Sequence, residues 1–341
     1  MSILEDGKLS LLAEFGYRRD PFLAFTMETA DTLRIKRLVS MAAESRASVF
    51  IVGKRGDGKT ESIKLALQNV KNAIDVQLIS SEKEMIKISD IERALIIHCS
   101  PDPEKPEPIK RTREIRARQV RRIVGEAAKN NNIVLRLEEA HRMHHSTLRS
   151  LKTMREMEYH GMCPLFTIVL VGQFDSLKQP GMDEVRLRTD TIKMRGLTEK
   201  EIAAYIAGTV GAHFEQEAVD ALSRETKLAD GREPSNFLTL QEILCDAMNE
   251  ALKHGHKKVT ALDVFTLCGG GIKELRIKAK MSLAEMSSES GVNKSTLHAV
   301  ESGTAHSLKK ETVAAAKSAV AGVLEKHLHV KLEQEAEAKA V

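Results

Sequence analysis

One eight-residue segment has the residue types and spacing needed to hold phosphate groups. Its residues, Gly53-Lys-Arg-Gly-Asp-Gly-Lys-Thr60, satisfy the pattern G-x-x-x-x-G-K-[ST]. In this pattern the glycines let backbone N–H groups surround phosphate oxygens, the lysine reaches the β- and γ-phosphates, and the hydroxyl takes a Mg²⁺ ligand position. A chance glycine turn is the alternative, but the segment lies between a predicted strand and a predicted helix, where the mechanism needs it. The predicted nucleotide contacts are Gly53, Gly56, Asp57, Gly58, Lys59, Thr60 and Glu61.

Two adjacent carboxylates provide a second part of the same chemistry. Glu138 and Glu139 follow the apolar run 133–137, which we interpret as a strand. A strand that ends in two carboxylates is the usual place for a Mg²⁺ partner and for an acid that activates water. Arg136 inside this strand, and Glu138 where Asp is usual, are departures that predict a looser or water-mediated metal geometry. Solvated acids on an edge strand are the alternative interpretation.

These side chains must be positioned by a sheet, and the chain supplies suitable runs. Residues 47–52 have the pattern of a short buried strand, and a second apolar run, 94–99, is interpreted in the same way. Further strand runs cover 133–137 and 165–171, each with a helical segment before it. The proline-rich stretch 101–108 predicts an exposed loop. Strands that alternate with helices predict an α/β fold with a parallel sheet covered on both faces.

The second half of the chain has a different character. No convincing strand pattern remains beyond Gly196, so we predict that this half is all-helical. Three consecutive glycines, 269–271, predict a flexible joint, and a tail rich in Ala, Lys and Glu predicts one solvated helix. The predicted domains are an N-terminal arm (1–30), an α/β core (31–196), a helical subdomain (197–267), a small helical unit (268–306) and the tail (307–341).

Composition and charge limit the class of protein. With 341 residues, 42% of them hydrophobic and 29% charged, the chain predicts a soluble protein of several domains. Its formal net charge of +4 arises from a large mixed population, so any basic surface must be local. Its cysteines lack a C-x-x-C pair, which argues against a disulfide scaffold and predicts buried thiols in a reducing compartment. Without a long apolar run or a secretory signal pattern, we expect a cytoplasmic protein that has no membrane contact.

A segment near the C-terminus, residues 280–303, resembles a Cro/repressor-type helix-turn-helix. Ser282 and Glu285 form a capping box that starts the first helix. Gly291 permits the tight turn, and Asn293 can cap the second helix. The start of that second helix would offer polar side chains to a major groove, whereas a helical interaction module without DNA contact is the alternative. The predicted DNA contacts are Lys294, Ser295, Thr296 and His298.

A basic helical segment is the second candidate for DNA contact. Between Lys110 and Arg122 there are seven cations and one acid, Glu114, while apolar residues such as Ile115 and Val120 lie loosely on one side. Such a surface could follow DNA phosphates without regard to base sequence, and its binding would be sensitive to salt. A solvated helix face is the alternative. The predicted phosphate contacts are Arg111, Arg113, Arg118 and Arg122.

The ordered set of motifs resembles the AAA+ ATPases of the ExeA, TnsC and MuB group. TnsC and MuB are ATP-dependent target-selection proteins of Tn7-like transposons and of Mu-like phages. The resemblance covers residues 12–265. The segments that carry it are Phe15–Phe22, Gly53–Thr60, Leu137–His141, Ile168–Gln173, Met194–Glu201 and Ala204–Ile206.

The resemblance implies a role for each matching residue of the nucleotide site. Lys59 and Thr60 would hold ATP and Mg²⁺, and Glu138 would assist the metal. Glu139 would polarise the attacking water, and Gln173 would sense the γ-phosphate from the neighbouring strand. The predicted cofactors are therefore ATP and Mg²⁺.

The resemblance also implies an arginine finger that a neighbouring subunit supplies. Arg186 and Arg188 are the candidates, and Arg188 is favoured. Such a finger is worth about 10³ to 10⁵ in rate in well-studied phosphoryl-transfer enzymes, so a lone subunit is expected to hydrolyse ATP slowly. The helical subdomain 197–267 corresponds in this resemblance to the helical lid of the AAA+ fold. Relatives often place an arginine directly after a proline of this lid, whereas Ser235 follows Pro234 here. Either Arg232 substitutes for that arginine or lid sensing is weakened.

The hypothesis from sequence is an AAA+ ATPase that assembles with itself on double-stranded DNA when ATP is bound. The assembly, a ring or a helical filament, would mark the target and recruit or stimulate a transposase. Three other functions stay open: a nucleotide-gated helix-turn-helix transcriptional regulator, an ExeA-like secretion ATPase and a helicase loader. Operator binding without ATP would favour the regulator, whereas the C-terminal unit argues against the secretion ATPase.

Overall fold

The computed structural model describes residues 7–80, 85–224, 234–267, 272–302 and 309–340. The chain forms two compact units, one of which is Glu28–Gly196. The other unit combines Met1–Met27 with Leu197–Val341. The N-terminal arm therefore belongs to the same unit as the helices of the C-terminal half.

The α/β unit is built around one parallel sheet. Two short helices, α1 (Lys8–Glu14) and α2 (Pro21–Ala24), precede it in the chain. The five strands have the order β2-β3-β4-β1-β5, and every neighbouring pair is parallel. This arrangement confirms the predicted α/β fold with a parallel sheet. Its elements are α3 (Ala30–Ser45), β1 (Ser48–Val52), α4 (Lys59–Leu67), β2 (Ala73–Ile79), α5 (Ile88–Cys99), α6 (Arg113–Ala127), β3 (Asn132–Glu138), α7 (His145–Arg155), β4 (Thr167–Gly172), α8 (Asp183–Arg186) and β5 (Thr189–Lys193).

The central strands are buried on both faces of the sheet. Every residue of β1 and β4 is buried, as expected for strands of a parallel sheet that is covered on both sides. On one face Val49, Ile51 and Val134 share a cluster with residues of α3 and α4. On the other face Phe50 and Leu135 share a cluster with residues of α5, α6 and α7. This burial fixes the ends of β1, β3 and β4, where the candidate phosphate and metal residues lie.

One predicted strand is wrong, and two strands of the sheet were not predicted. Residues 94–99 are the C-terminal half of α5, in which Ile91, Leu95 and Cys99 recur every four residues and bury one helix face. The edge strands β2 and β5 were not predicted. Their polar and partly exposed positions interrupt any apolar run, because an edge strand has a neighbour on one side only.

The C-terminal half is helical in its described residues. These contain no strand after Gly196 apart from a single bridge between Phe214 and Val259, and none of their helices is long and apolar enough to cross a membrane. The predicted glycine joint, 269–271, lies outside the described residues. The helices are α9 (Glu199–Thr209), α10 (Gln216–Arg224), α11 (Phe237–His254), α12 (Ala261–Leu267), α13 (Ile272–Lys278), α14 (Leu283–Ser290), α15 (Lys294–Glu301) and α16 (Lys310–Ala340).

The prediction of a solvated tail helix is wrong, because one side of α16 is buried. Val320, Leu324 and Leu328 are at most 1% exposed. They recur every four residues and so lie on one helix face. They belong to one hydrophobic cluster with residues of α10, α12, α14 and α15. The tail's Ala, Lys and Glu content conceals this stripe, which joins α9–α12 and α13–α15 in a single core.

The prediction of buried thiols is wrong for Cys163, which is exposed. Cys99 and Cys245 are buried, and burial raises the pKa of their thiols to about 12 and about 11. Cys268 lies outside the described residues.

Candidate nucleotide site and DNA-binding surfaces

The candidate phosphate-binding loop, Gly53–Thr60, connects β1 to α4. Gly56 and Gly58 have φ angles of 91° and 82°, in the left-handed region that glycine adopts without steric cost, and Gly58 is the N-cap of α4. A Cβ atom on Gly53 would lie 2.6 Å from Asp57 Oδ2 and 3.1 Å from Met194 Cβ. The loop therefore depends on its glycines to bring backbone N–H groups to the start of a helix, where anions bind.

Lys59 is buried against the loop that it follows. Its Nζ atom donates to the carbonyl oxygens of Gly53 (2.7 Å) and Lys54 (2.6 Å). Burial lowers the pKa of Lys59, and the carboxylate of Asp57 is the largest influence that raises it. Burial has the opposite effect on an acid, and it raises the pKa of Asp57. The ammonium group is thus held inside the loop, where phosphate oxygens could take the place of the two carbonyls.

An open cleft of about 770 Å³ lies beside the loop. The carboxyl ends of parallel strands meet at one edge of a sheet, which is where ligands bind in open α/β folds. Every predicted nucleotide, metal and water-activating residue lines this cleft except Gly53, Asp57 and the two finger arginines. Four polar residues that line the cleft were not predicted from the sequence: Arg55, Lys64, Ser80 and Arg142.

Thr60 and Glu138 form the candidate metal site. The Thr60 hydroxyl lies 3.4 Å from Glu138 Oε2 and 3.5 Å from Oε1. Burial raises the pKa of Glu138, and Arg136 opposes this rise. The Ser80 hydroxyl lines the same cleft and is buried without a hydrogen-bond partner among the described residues. Oxygen ligands of these types fit a partly hydrated Mg²⁺ ion. A single serine after an edge strand has no sequence pattern that would have indicated it.

Glu139 and Gln173 meet across the tips of β3 and β4. Gln173 Nε2 donates to Glu139 Oε2 over 3.3 Å. His141 Nε2 and Arg142 Nε lie 3.5 Å and 3.6 Å from the same oxygen, and the Gln173 backbone N–H donates to His141 Nδ1. Burial lowers the pKa of His141. Glu139 also has a φ of 53°, which is uncommon outside glycine. The structure thus brings the predicted water-activating acid and the predicted sensor together.

The two candidate finger arginines lie at the other end of the sheet. Arg188 immediately precedes β5, whose first residue pairs with Ser48 at the start of β1, whereas the phosphate loop follows the end of β1. Five residues of strand span about 16 Å. Arg186 bonds to Asp183, and Arg188 bonds to Glu156 at 2.6 Å. Neither arginine is therefore brought to the nucleotide site of its own chain.

The basic helical segment differs from its predicted pattern at two positions. Arg116 is buried and bonds to Glu92 at 2.6 Å, so it is not available to DNA. Ile115, predicted on the apolar side, is 51% exposed instead. The α6 helix begins at Arg113, and its true register places Val120, Ile123 and Val124 inside. Four predicted phosphate contacts are exposed: Arg111 and Arg113, together with Arg118 and Arg122, which bond to Glu114 and Glu107.

Helices α14 and α15 form a short pair with the predicted local features. The Ser282–Glu285 capping box is present, Gly291 has a φ of 68°, and Asn293 caps α15. Met286 and Leu297 are fully buried between the helices and their surroundings. Of the predicted base-reading residues, Lys294, Ser295 and His298 are exposed, and Thr296 is half-buried.

The chain is similar in sequence to one protein family and in structure to several solved proteins. Residues 42–179, which include the phosphate loop, both glutamates and Gln173, match a family model described as AAA domain. A comparison with curated proteins finds no match. The chain is similar in structure to Cdc6p from Pyrobaculum aerophilum, with 14% identity and a TM-score of 0.51 over 92% of this chain and 87% of that chain. It is also similar to the ORC2 protein of Aeropyrum pernix, solved as ADPNP–ADP complexes, with 12% identity and a TM-score of 0.50 over 92% and 95%. At these identities the likeness concerns the fold alone.

Proposed function

We propose that this chain, whose fold is that of the AAA+ P-loop ATPases, binds ATP and assembles with itself on double-stranded DNA. In this proposal ATP favours contact between subunits, and slow hydrolysis releases them. The assembly marks a DNA target and recruits or stimulates a transposase in the cytoplasm. The transposase partner and the ring or filament rest on the resemblance to the TnsC and MuB group.

The cleft residues divide the work of ATP hydrolysis between them. Lys59 and the loop N–H groups would bind the β- and γ-phosphates, and Gln173 would contact the γ-phosphate. Thr60 and Glu138 would hold Mg²⁺, which neutralises charge on the phosphate oxygens when it is bound. Glu139 would orient the attacking water and accept its proton. The bond from Gln173 to Glu139 would keep this carboxylate directed at one place.

The proposal of self-assembly rests on a single observation, the position of Arg186 and Arg188. Both arginines lie at the amino ends of the strands, while the phosphate loop lies at the carboxyl ends. An arginine finger at either position would therefore act on the nucleotide of another subunit. An open cleft of about 450 Å³ lies beside Arg188, and the adjacent Leu187 is 82% exposed. An exposed leucine beside a cation suits contact with a second protein surface.

The packing within the helical unit, which comprises Met1–Met27 and Leu197–Val341, supports a coupling between nucleotide binding and DNA binding. The stripe on α16 packs in one cluster with residues of α10 and α12 and with Met286 and Leu297 of the α14–α15 pair. A movement of α9–α12 would therefore be carried to α15, whose exposed start bears Lys294 and His298. Arg232, the candidate replacement for the missing lid arginine, lies outside the described residues.

Binding to a DNA duplex in the presence of ATP or ADP tests this proposal. The wild type is expected to bind DNA and to form large assemblies with ATP only, and Lys59→Ala is expected to do neither. Lys71→Ala, a change at an exposed lysine outside the cleft, should behave as wild type. Equal DNA binding with ATP, with ADP and in Lys59→Ala would contradict the proposal that ATP controls DNA binding.

Mixing experiments test the role of the arginines. Arg188→Ala and Lys59→Ala chains should each be inactive alone, and a mixture should regain part of the ATPase activity, because some interfaces then combine an intact loop with an intact finger. The same mixture made with Arg186→Ala identifies which arginine acts. A mixture without any recovery contradicts action between subunits.

A nucleotide-gated transcriptional regulator is the second candidate, and the exposed start of α15 favours it. Selection of bound fragments from a random DNA pool separates the two functions. Enrichment of one operator in the absence of ATP supports the regulator. Binding that requires ATP and does not depend on sequence supports the target-selection ATPase.

A further inference from the structure

Arg136 lies in the middle of β3 with 2% of its surface exposed, where an arginine is rare unless it is paired. Strands β2 and β3 are in register, so that Gln77 lies beside Arg136 and Ile79 beside Glu138. Because side chains alternate along a strand, Arg136 and Glu138 lie on the same face of the sheet, two positions apart.

The two edges of the Arg136 guanidinium have different partners. Nε and Nη2 bond to Asp75 Oδ1 (3.3 Å) and Oδ2 (2.7 Å), and Nη2 also donates to Gln77 Oε1 (2.9 Å). The opposite edge donates through Nη1 to Glu138 Oε1 over 3.1 Å. Strand β2 therefore fixes the guanidinium plane, and that plane fixes one oxygen of Glu138.

We propose that Arg136 is a positioning residue that adapts Glu138 to a metal role usually filled by aspartate. This inference rests on the proposed ATPase function. Oε1 of Glu138 is held by Arg136, and Oε2 lies 3.4 Å from Thr60 Oγ1. The carboxylate thus bridges the guanidinium and the metal-site hydroxyl. An aspartate is one methylene shorter and would lose one of these two contacts.

Charge supports the same role. The side chains of Arg136 and Glu138 are 2% and 8% exposed, and Nη1 lies 3.1 Å from Oε1, so the guanidinium supplies the positive charge beside a buried carboxylate. A buried ion pair is weak evidence for stability, because a well-packed apolar residue often serves folding equally well. The stability variants below therefore separate a folding role of Arg136 from a positioning role.

A double-mutant cycle tests the assignment. Arg136→Leu and Glu138→Asp each break the bridge, and each is expected to raise the Mg²⁺ concentration for half-maximal ATP hydrolysis by about tenfold or more. The double variant combines an apolar strand position with the shorter acid, which does not need the arginine, and should recover most of the loss. Effects of the two changes that simply multiply in the double variant would overturn the proposal.

Two further variants separate positioning from a general loss of stability. Val134→Ala removes a fully buried side chain from the same face of β3 and should lower the melting temperature without moving the Mg²⁺ dependence. Arg136→Lys keeps the charge but loses the planar fork, so it should shift the Mg²⁺ dependence while Mg²⁺-free binding of a fluorescent ATP analogue stays unchanged. An equal shift of the Mg²⁺ dependence in Val134→Ala and Arg136→Lys contradicts the inference. Failure of the wild type to bind the analogue would instead reject the proposed function.

Discussion

Gln173, which follows β4, donates a hydrogen bond from Nε2 to Oε2 of Glu139, which follows β3, over 3.3 Å. The bond joins the tips of two neighbouring strands beside the phosphate loop. His141 and Arg142 approach the same oxygen, so three side chains surround one side of the carboxylate. The group that would sense the γ-phosphate is thus bonded to the group that would activate water.

Glu139→Gln is expected to bind ATP but to lose hydrolysis by about 10²-fold or more, because the amide cannot accept a proton from water. Phosphate release in the presence of DNA, together with nucleotide binding, measures both properties. Gln173→Ala should cause a smaller loss, since it removes a contact that orients the base but leaves the base itself. Wild-type turnover in Glu139→Gln would show that another group activates the water.

The candidate site was predictable where its signal is local in sequence. The glycine spacing from Gly53 to Thr60 and the paired acids at the end of β3, Glu138 and Glu139, indicate their chemistry without any tertiary information. Ser80 gives no such signal, because it reaches the cleft only when an edge strand pairs with β3. Arg116 was counted among the cations of the basic segment, and its burial could not be foreseen because its partner, Glu92, lies 24 residues away on another helix. Such pairing depends on how helices pack, which residue spacing does not specify.

Leu324→Ala tests the packing of α16, which composition alone predicted to be solvated. Leu324 is fully buried in the core of the helical unit, so its truncation is expected to cost about 2 to 5 kcal/mol in the free energy of unfolding. Lys326→Ala, at an exposed position on the same helix, is the matched control and should change stability little. Chemical denaturation monitored by circular dichroism measures both. Equal stability of the two variants would mean that α16 does not contribute to the core.

The cysteines should differ in their reaction with an alkylating reagent. Cys163 is exposed, whereas burial raises the thiol pKa of Cys99 to about 12 and that of Cys245 to about 11. Since the thiolate is the nucleophile, Cys163 should be modified in the native protein near pH 8, and the two buried thiols only after denaturation. Mass spectrometry of peptides distinguishes the sites. Native labelling of Cys245 as fast as that of Cys163 contradicts the packing around α11.

Asp263 provides a pH-dependent contribution to the stability of the helical unit. Its fully buried carboxylate accepts hydrogen bonds from the Thr260 N–H (2.9 Å) and contacts Nδ1 of His254 (2.6 Å) and of His256 (3.0 Å). Burial raises the pKa of Asp263, but the hydrogen bonds from His254, Thr260 and His256 together outweigh burial, so the pKa lies below its ordinary value. The ionised carboxylate therefore stabilises the folded state.

Asp263→Asn is expected to lower the free energy of unfolding by about 1 to 3 kcal/mol at neutral pH, because it removes a charged acceptor from buried donors. A lowered folded-state pKa gives a contribution that is fully present above the unfolded value of about 3.9 and is lost as the pH falls through the folded value. The difference between wild type and variant should therefore shrink as the pH falls below about 4. Urea denaturation across this range measures the difference, with the exposed Asp102→Asn as the control. A difference that persists undiminished in acid would show that the charge of Asp263 does not stabilise the fold.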